Sequence, residues 1–195
     1  IGNSGACKIG KYLLQTKILT HLDLGDNCIH YQGCRYISQG LKFNKSLRVL
    51  SLHLNRVDDR GGMKFCQELK EHNQTLEEIN FRGNSLENSF ARALAKLILK
   101  TNLKKIDVSW NFIDKDNARA ILDSLKDNPD IIEFDIRNNK IKDAVLEGEI
   151  SEVVTKNYLA TKNIPYIKRD PDIDIRVDKD EDAKEEEPTS PQKEA

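Results

Sequence analysis

The sequence predicts an α/β solenoid, with short parallel strands along a concave side and helices along a convex side. Three observations predict it. Asn27, Asn55, Asn84, Asn111 and Asn139 follow one another at intervals of 28, 29, 27 and 28 residues. Each stands near the end of the same apolar frame: LTHLDLGDNCI, LRVLSLHLNRV, LEEINFRGNSL, LKKIDVSWNFI and IIEFDIRNNKI. Between successive frames, small and apolar residues keep helical spacing. A unit of this length buries its apolar face only by stacking on its neighbours, so the period specifies the architecture.

The strand comes from the alternating pairs Leu22/Leu24, Leu50/Leu52, Ile79/Phe81, Ile106/Val108 and Phe134/Ile136. Period-2 alternation gives a short strand with one buried face. The asparagine sits where the chain leaves the strand, and its amide suits backbone groups that have left the ladder. Stacked repeats would turn Asn27, Asn55, Asn84, Asn111 and Asn139 into a structural ladder inside the core.

The helix comes from segments beginning at Ile1, Ile29, Val57, Leu86 and Ile113. Five residues on stands a small residue in every segment: Ala6, Cys34, Gly62, Ala91 and Ala118. Offsets of eight and twelve are apolar throughout, including Phe65, Leu94, Leu41 and Leu125, and trace one stripe. After Asn139 this register fails: Leu146 enters the small column and Glu149 the stripe. The apolar set shifts to Leu146, Ile150, Val153, Val154 and Tyr158, which predicts a capping helix over about 143–161. The predicted domain is 1–163, with one partial and five strand-bearing repeats. Ile1 already holds the last position of a frame, so residues preceding it are expected.

Residues 164–195 read as an acidic extended or disordered tail. Over 169–195 there are 11 acidic and 5 basic residues, a net charge of −6, which leaves the rest of the chain at +5. Ile173, Ile175 and Val177 alternate with charged residues, a pattern that suits a docking strand.

The formal net charge of −1 gives no global attraction to nucleic acid or to an anionic membrane. No apolar run reaches the length of a membrane-spanning helix. Cys34 and Cys66 fall in buried helical columns, where cysteine serves as a small hydrophobe in a reduced, intracellular setting. Cys28, His30 and Cys34 are zinc-ligand types, but Cys34 belongs to the core and no fourth ligand is near in sequence. No catalytic motif stands out. The chain is expected to be non-enzymatic, with no cofactor, metal or small-molecule substrate.

The remaining frame positions face outward on the concave side. They form the columns Asp23/Ser51/Asn80/Asp107/Asp135, Gly25/His53/Arg82/Ser109/Arg137 and Asp26/Leu54/Gly83/Trp110/Asn138. A lone tryptophan flanked by arginines and aspartates has the composition of an interface hot spot. His53, Arg82, Asp107, Trp110, Asp135 and Arg137 are therefore the expected partner-binding residues.

The L-x-x-L-x-L-x-x-N-x-L frame is that of leucine-rich repeats, and the long helical half resembles the ribonuclease-inhibitor type. The blocks LSLHLNRVDDRGG (50–62) and IIEFDIRNN (131–139), with the capping helix that ends near NYLATKN (157–163), resemble a ciliary subunit. It is the leucine-rich-repeat subunit of the axonemal nexin–dynein regulatory complex, of the t-complex-associated testis-expressed family. That resemblance implies a structural component of a cilium or flagellum axoneme, bound to other proteins of an assembly that links doublet microtubules and tunes dynein-driven motility. Two other functions share this repeat type. One is activation of a Ran-like GTPase, and the other is a ribonuclease-inhibitor-like or innate-immune sensor module.

Overall fold

The computed structural model describes residues 1–168. Helices and strands alternate as α1 (Gly2–Leu13), β1 (His21–Asp23), α2 (Tyr31–Phe43), β2 (Val49–Ser51), α3 (Asp59–His72), β3 (Glu78–Asn80), α4 (Asn88–Ile98), β4 (Lys105–Asp107), α5 (Lys115–Lys126), β5 (Glu133–Asp135) and α6 (Ala144–Thr161). The strands form one open parallel sheet in the order β1-β2-β3-β4-β5. Its register aligns Leu22, Leu50, Ile79, Ile106 and Phe134. Consecutive strands pair in parallel because each returns through a helix that packs on the same face of the sheet.

Each strand is only three residues long for a backbone reason. Asp26, Leu54, Gly83, Trp110 and Asn138, three residues past the strand ends, all have φ between 51° and 65°. That left-handed step turns the chain out of the ladder and back toward the helix. The amides just before and at this step still bond the next repeat, as in Leu52 N–H to the Asn80 carbonyl (2.7 Å) and Trp110 N–H to the Arg137 carbonyl (3.0 Å).

The core lies between sheet and helices. Ala6, Cys34, Gly62, Ala91 and Ala118, the small column, are all buried. Phe65, Phe81 and Phe90 fill the middle of the stack, with ring centroids 4.9 and 5.7 Å apart. Gly62 is part of that arrangement. A Cβ there would sit 2.5 Å from Leu86 and 2.7 Å from Phe90, so Phe90 takes the room an alanine would occupy.

Helix α6 closes the stack. Leu146, Ile150 and Val154 are buried at i, i+4 and i+8, and Val153 packs beside them. Tyr158 departs from the sequence reading: it is 44% exposed, because the buried stripe ends one turn earlier. Glu149, out of place in an apolar stripe, lies outside the core and pairs with Arg119 at 3.0 Å. The chain past the expected boundary at 163 turns back along α6, where Lys156 lies over the Tyr166 ring and Lys168 pairs with Glu152. Ile173, Ile175 and Val177 lie outside the described residues.

Candidate interaction surface

The five frame asparagines occupy equivalent positions. Each side-chain oxygen accepts from the backbone nitrogen of the last frame residue in the preceding repeat: the terminal ammonium of Ile1 for Asn27, and the amides of Ile29, Val57, Leu86 and Ile113 for the other four. From Asn55 onward, each Nδ2 donates to the carbonyl of Leu24, Leu52, Phe81 or Val108, one repeat back. The inner three, Asn55, Asn84 and Asn111, are buried, whereas Asn27 and Asn139 at the ends are half-buried.

A second asparagine column lies outside the repeat frame. Asn44, Asn73, Asn102 and Asn128 stand at the opposite edge, where helix leads into strand, and Asn157, inside α6, donates to the Ile131 carbonyl (2.9 Å). Asn44 donates to the Leu13 carbonyl (2.8 Å) and accepts from Leu47 N–H (2.7 Å). Asn73 donates to the Leu41 carbonyl (2.7 Å) and accepts from Leu76 N–H (2.9 Å). The acceptor carbonyls lie at helix C-termini, where no intrahelical donor remains. The signal was present as N-x-x-L ahead of the frame in Asn44/Leu47, Asn73/Leu76 and Asn128/Ile131.

With both edges tied, the strand side chains project into a groove of about 970 Å³ that runs across β1–β5. His53, Arg82, Asp107, Asp135 and Arg137 line it, and Glu147, Ile150, Ser151 and Val154 of α6 wall its C-terminal end. Trp110 does not line it. Its left-handed turn position places it on the rim, 56% exposed, in one column with Leu54, which is 55% exposed. The sequence reading put Trp110 on the concave face because frame periodicity does not reveal where the strand stops.

The charges of the groove and of its edge, where Arg48, Glu77 and Lys104 stand outside the lining, fall into two sets. Across the strands, Glu77 pairs with Arg48 (2.7 Å) and Lys104 (2.9 Å), and Lys105 pairs with Glu78 (3.3 Å) and Glu133 (3.6 Å). The bond and charge from Lys104, with Arg48 behind them, hold the Glu77 carboxyl below its ordinary value despite some burial. Glu78 raises Lys105. These ladders use the first strand position and the residue before it, which the sequence reading did not count as face. Arg137 folds onto Asp135 of its own repeat, with Nε 3.0 Å from Oδ1. Burial pushes the Asp135 carboxyl up, but the bonds and charge of Arg137 outweigh it and hold the group below its ordinary value. Arg82 and Asp107, by contrast, make no ion pair among the described residues.

Ser51, His53 and Asp23 also come together. Ser51 Oγ is 2.7 Å and Asp23 Oδ1 3.6 Å from the same imidazole nitrogen, Nδ1. A hydrolytic triad needs serine and aspartate on opposite nitrogens. The imidazole instead packs against Gly25, where a Cβ would come within 1.9 Å of its Cε1. The cluster is a packing arrangement. Cys34, of the zinc-ligand trio, is fully buried, and its thiol donates to the Gly61 carbonyl at 3.8 Å. Burial raises its pKa, so it stays a thiol.

Comparison with known proteins matches the family described as Leucine Rich repeat at residues 18–38, 43–66 and 72–95. The chain carries leucine-rich repeats. It is 31% identical over 128 residues to the ribonuclease inhibitor of Sus scrofa, covering 65% of this chain and 28% of that protein. It is 30% identical over 109 residues to NACHT, LRR and PYD domains-containing protein 9B of Mus musculus, covering 55% of this chain and 11% of that protein. The chain thus spans less than a third of the length of these relatives. Among solved structures, Leiomodin-1 Actin-Binding Site 2 superposes with a TM-score of 0.68 at 16% identity, covering 82% of this chain and 91% of that one. The tropomodulin C-terminal domain of Caenorhabditis elegans superposes at 0.66 and 14%, covering 83% and 96%. At those identities the likeness is one of fold.

Proposed function

We propose that this leucine-rich-repeat module is a non-enzymatic scaffold that holds a segment of a partner protein in its concave groove, and that its assembly is the nexin–dynein regulatory complex of the ciliary or flagellar axoneme. The groove carries the first half of the reading. It is wide, crosses every strand, and offers Arg82 and Asp107, which make no ion pair among the described residues, beside an apolar rim of Leu54 and Trp110. Those are the elements of a protein-binding site: directional charges in a concavity and large apolar anchors at its edge. The blocks at 50–62 and 131–139, with the capping helix, support the axonemal half.

A second reading rests on the sequence relatives. NACHT-containing proteins and ribonuclease inhibitor share stretches with this chain, which favours a repeat module of a longer ribonuclease-inhibitor-like or sensor protein. Affinity capture of the tagged protein from ciliated cells, with Arg82→Glu as control, separates the two. Recovery of dynein-linked axonemal proteins by wild type, lost in Arg82→Glu, supports the scaffold. Recovery of a ribonuclease, or absence of axonemal proteins, overturns the axonemal assignment.

A further inference from the structure

We propose that the groove between α3 and α4, on the helical side of the molecule, receives the acidic segment Asp178–Glu187 of this same chain. This inference is independent of the concave-face reading. The groove measures about 290 Å³ and is lined by Met63, Cys66, Lys70, Ser89, Arg92, Ala93 and Lys96, together with Gln67. Three of these are cations and none is a carboxylate. Helix α4 contains no acidic residue between Asn88 and Ile98, and its cations Arg92 and Lys96, at i and i+4, are both exposed. On α5, by contrast, Asp116 and Asp123 accompany Lys115, Arg119 and Lys126.

The cations are only partly engaged. Arg92 donates to Ser89 Oγ and Asn117 Oδ1, both at 3.3 Å and both neutral, and its charge also acts on the Asp114 carboxylate without an ion pair among the described residues. Lys70 reaches Glu71 at 2.8 Å, and Lys96 has no ion pair among the described residues. An acidic chain suits such a site, because its carboxylates would pair with the three cations of the lining.

Residues 178–187, DKDEDAKEEE, carry seven carboxylates against two lysines. They lie outside the described residues, and their part in the proposal rests on composition and reach. Packed helices stand about 8–10 Å apart, so α4 is roughly 20 Å from α6 across two steps of the stack. The nine residues 169–177 span up to about 30 Å when extended, at roughly 3.3 Å each. Charge and reach therefore agree.

Carbodiimide crosslinking of the full chain tests this. The reagent joins a lysine amine to a touching carboxylate as an amide and leaves as its urea, and digestion with mass spectrometry locates the link. Within monomers, most links from 178–187 are expected at Lys70 and Lys96. Their yield should fall severalfold as salt rises from 0.15 M to 1 M, where the screening length shrinks from about 8 Å to about 3 Å. Arg92→Gln should lower it severalfold without changing the melting temperature. Links spread evenly over Lys8, Lys45 and Lys126 would overturn the proposal. So would links found only between two chains, which would place the segment on a second copy.

Discussion

Asn84 and Asn111 show at the residue scale why one amide per repeat matters. Each is at most 5% exposed, and each joins amides and carbonyls of two repeats through a single side chain. Alanine would leave those backbone groups buried without partners, at about 1–3 kcal/mol per group. Asn84→Ala and Asn111→Ala are expected to lower the urea midpoint clearly, whereas Asn27→Ala, at the half-buried end, should lower it much less. Equal losses at all three positions would refute the ladder as a source of stability. Trp110 makes the opposite case. A side chain with φ of 57° is strained, and the left-handed region costs a non-glycine residue roughly 1–2 kcal/mol. Its exposed ring returns little of that through packing. Trp110→Gly is expected to hold or raise the melting temperature while weakening partner binding by about 2 kcal/mol or more, as hot-spot truncations do. A protein melting well below wild type would show instead that the indole is a packing group.

At the scale of elements, caps link neighbouring repeats as well as closing their own helices. Helix α4 has no side-chain cap of its own, because Glu87 at its N-cap makes no such bond. Asp59, in the first turn of α3, supplies it: Oδ1 accepts from Glu87 N–H and Phe90 N–H, and Oδ2 from Ser89 N–H. Asp59→Ala is therefore expected to cost about 0.5–2 kcal/mol, the range of a lost N-cap, although Asp59 belongs to another helix. Chemical denaturation measures it, and a change near zero would refute the shared cap. Two other caps carry a pH signature. The Asn117 side-chain amide, then its backbone N–H, hold the Asp114 carboxyl below its ordinary value, and Lys115 and Leu146 N–H do the same for Asp143. A carboxyl lowered by folding contributes stability that is present above its unfolded value and is lost as pH falls through the folded value. Stability should thus decline from about pH 5 toward about pH 2, and Asp114→Asn with Asp143→Asn should flatten that decline. An unchanged slope in the double variant would show that these caps do not govern acid unfolding.

For the whole molecule, most of the architecture was legible in the sequence because solenoid order repeats one local rule. Strand pairs, small column, helical stripe and the shifted register of α6 each left a periodic trace, and each is found in place except for Tyr158 at the end of α6. What escaped had no trace at the period being read. The left-handed turn is held by residues as unlike as Asp26, Leu54, Gly83, Trp110 and Asn138, so composition did not mark it, and Trp110 was read as part of the face. The second asparagine column fell in loops of unequal length, with Asn102 and Asn128 only 26 residues apart, so the frame did not align it. The charge ladders needed three dimensions, since Arg48, Glu77 and Lys104 meet only when strands stack. Those ladders separate the two roles of the concave face. Glu77, Glu78, Lys104 and Lys105 are satisfied within the sheet, and exposed pairs of this kind contribute only about 0–1 kcal/mol each. Arg82 remains available to a partner. Glu77→Gln should change stability by less than about 1 kcal/mol and leave binding near wild type. Arg82→Glu should leave the melting temperature unchanged and reduce binding of a captured partner at least tenfold, with the residual binding losing part of its salt dependence, because a steering charge has been reversed. Calorimetric titration of the partner against both variants reads the two effects separately. Strong loss in Glu77→Gln with none in Arg82→Glu would move the binding site from the middle of the groove to the ladder beside it.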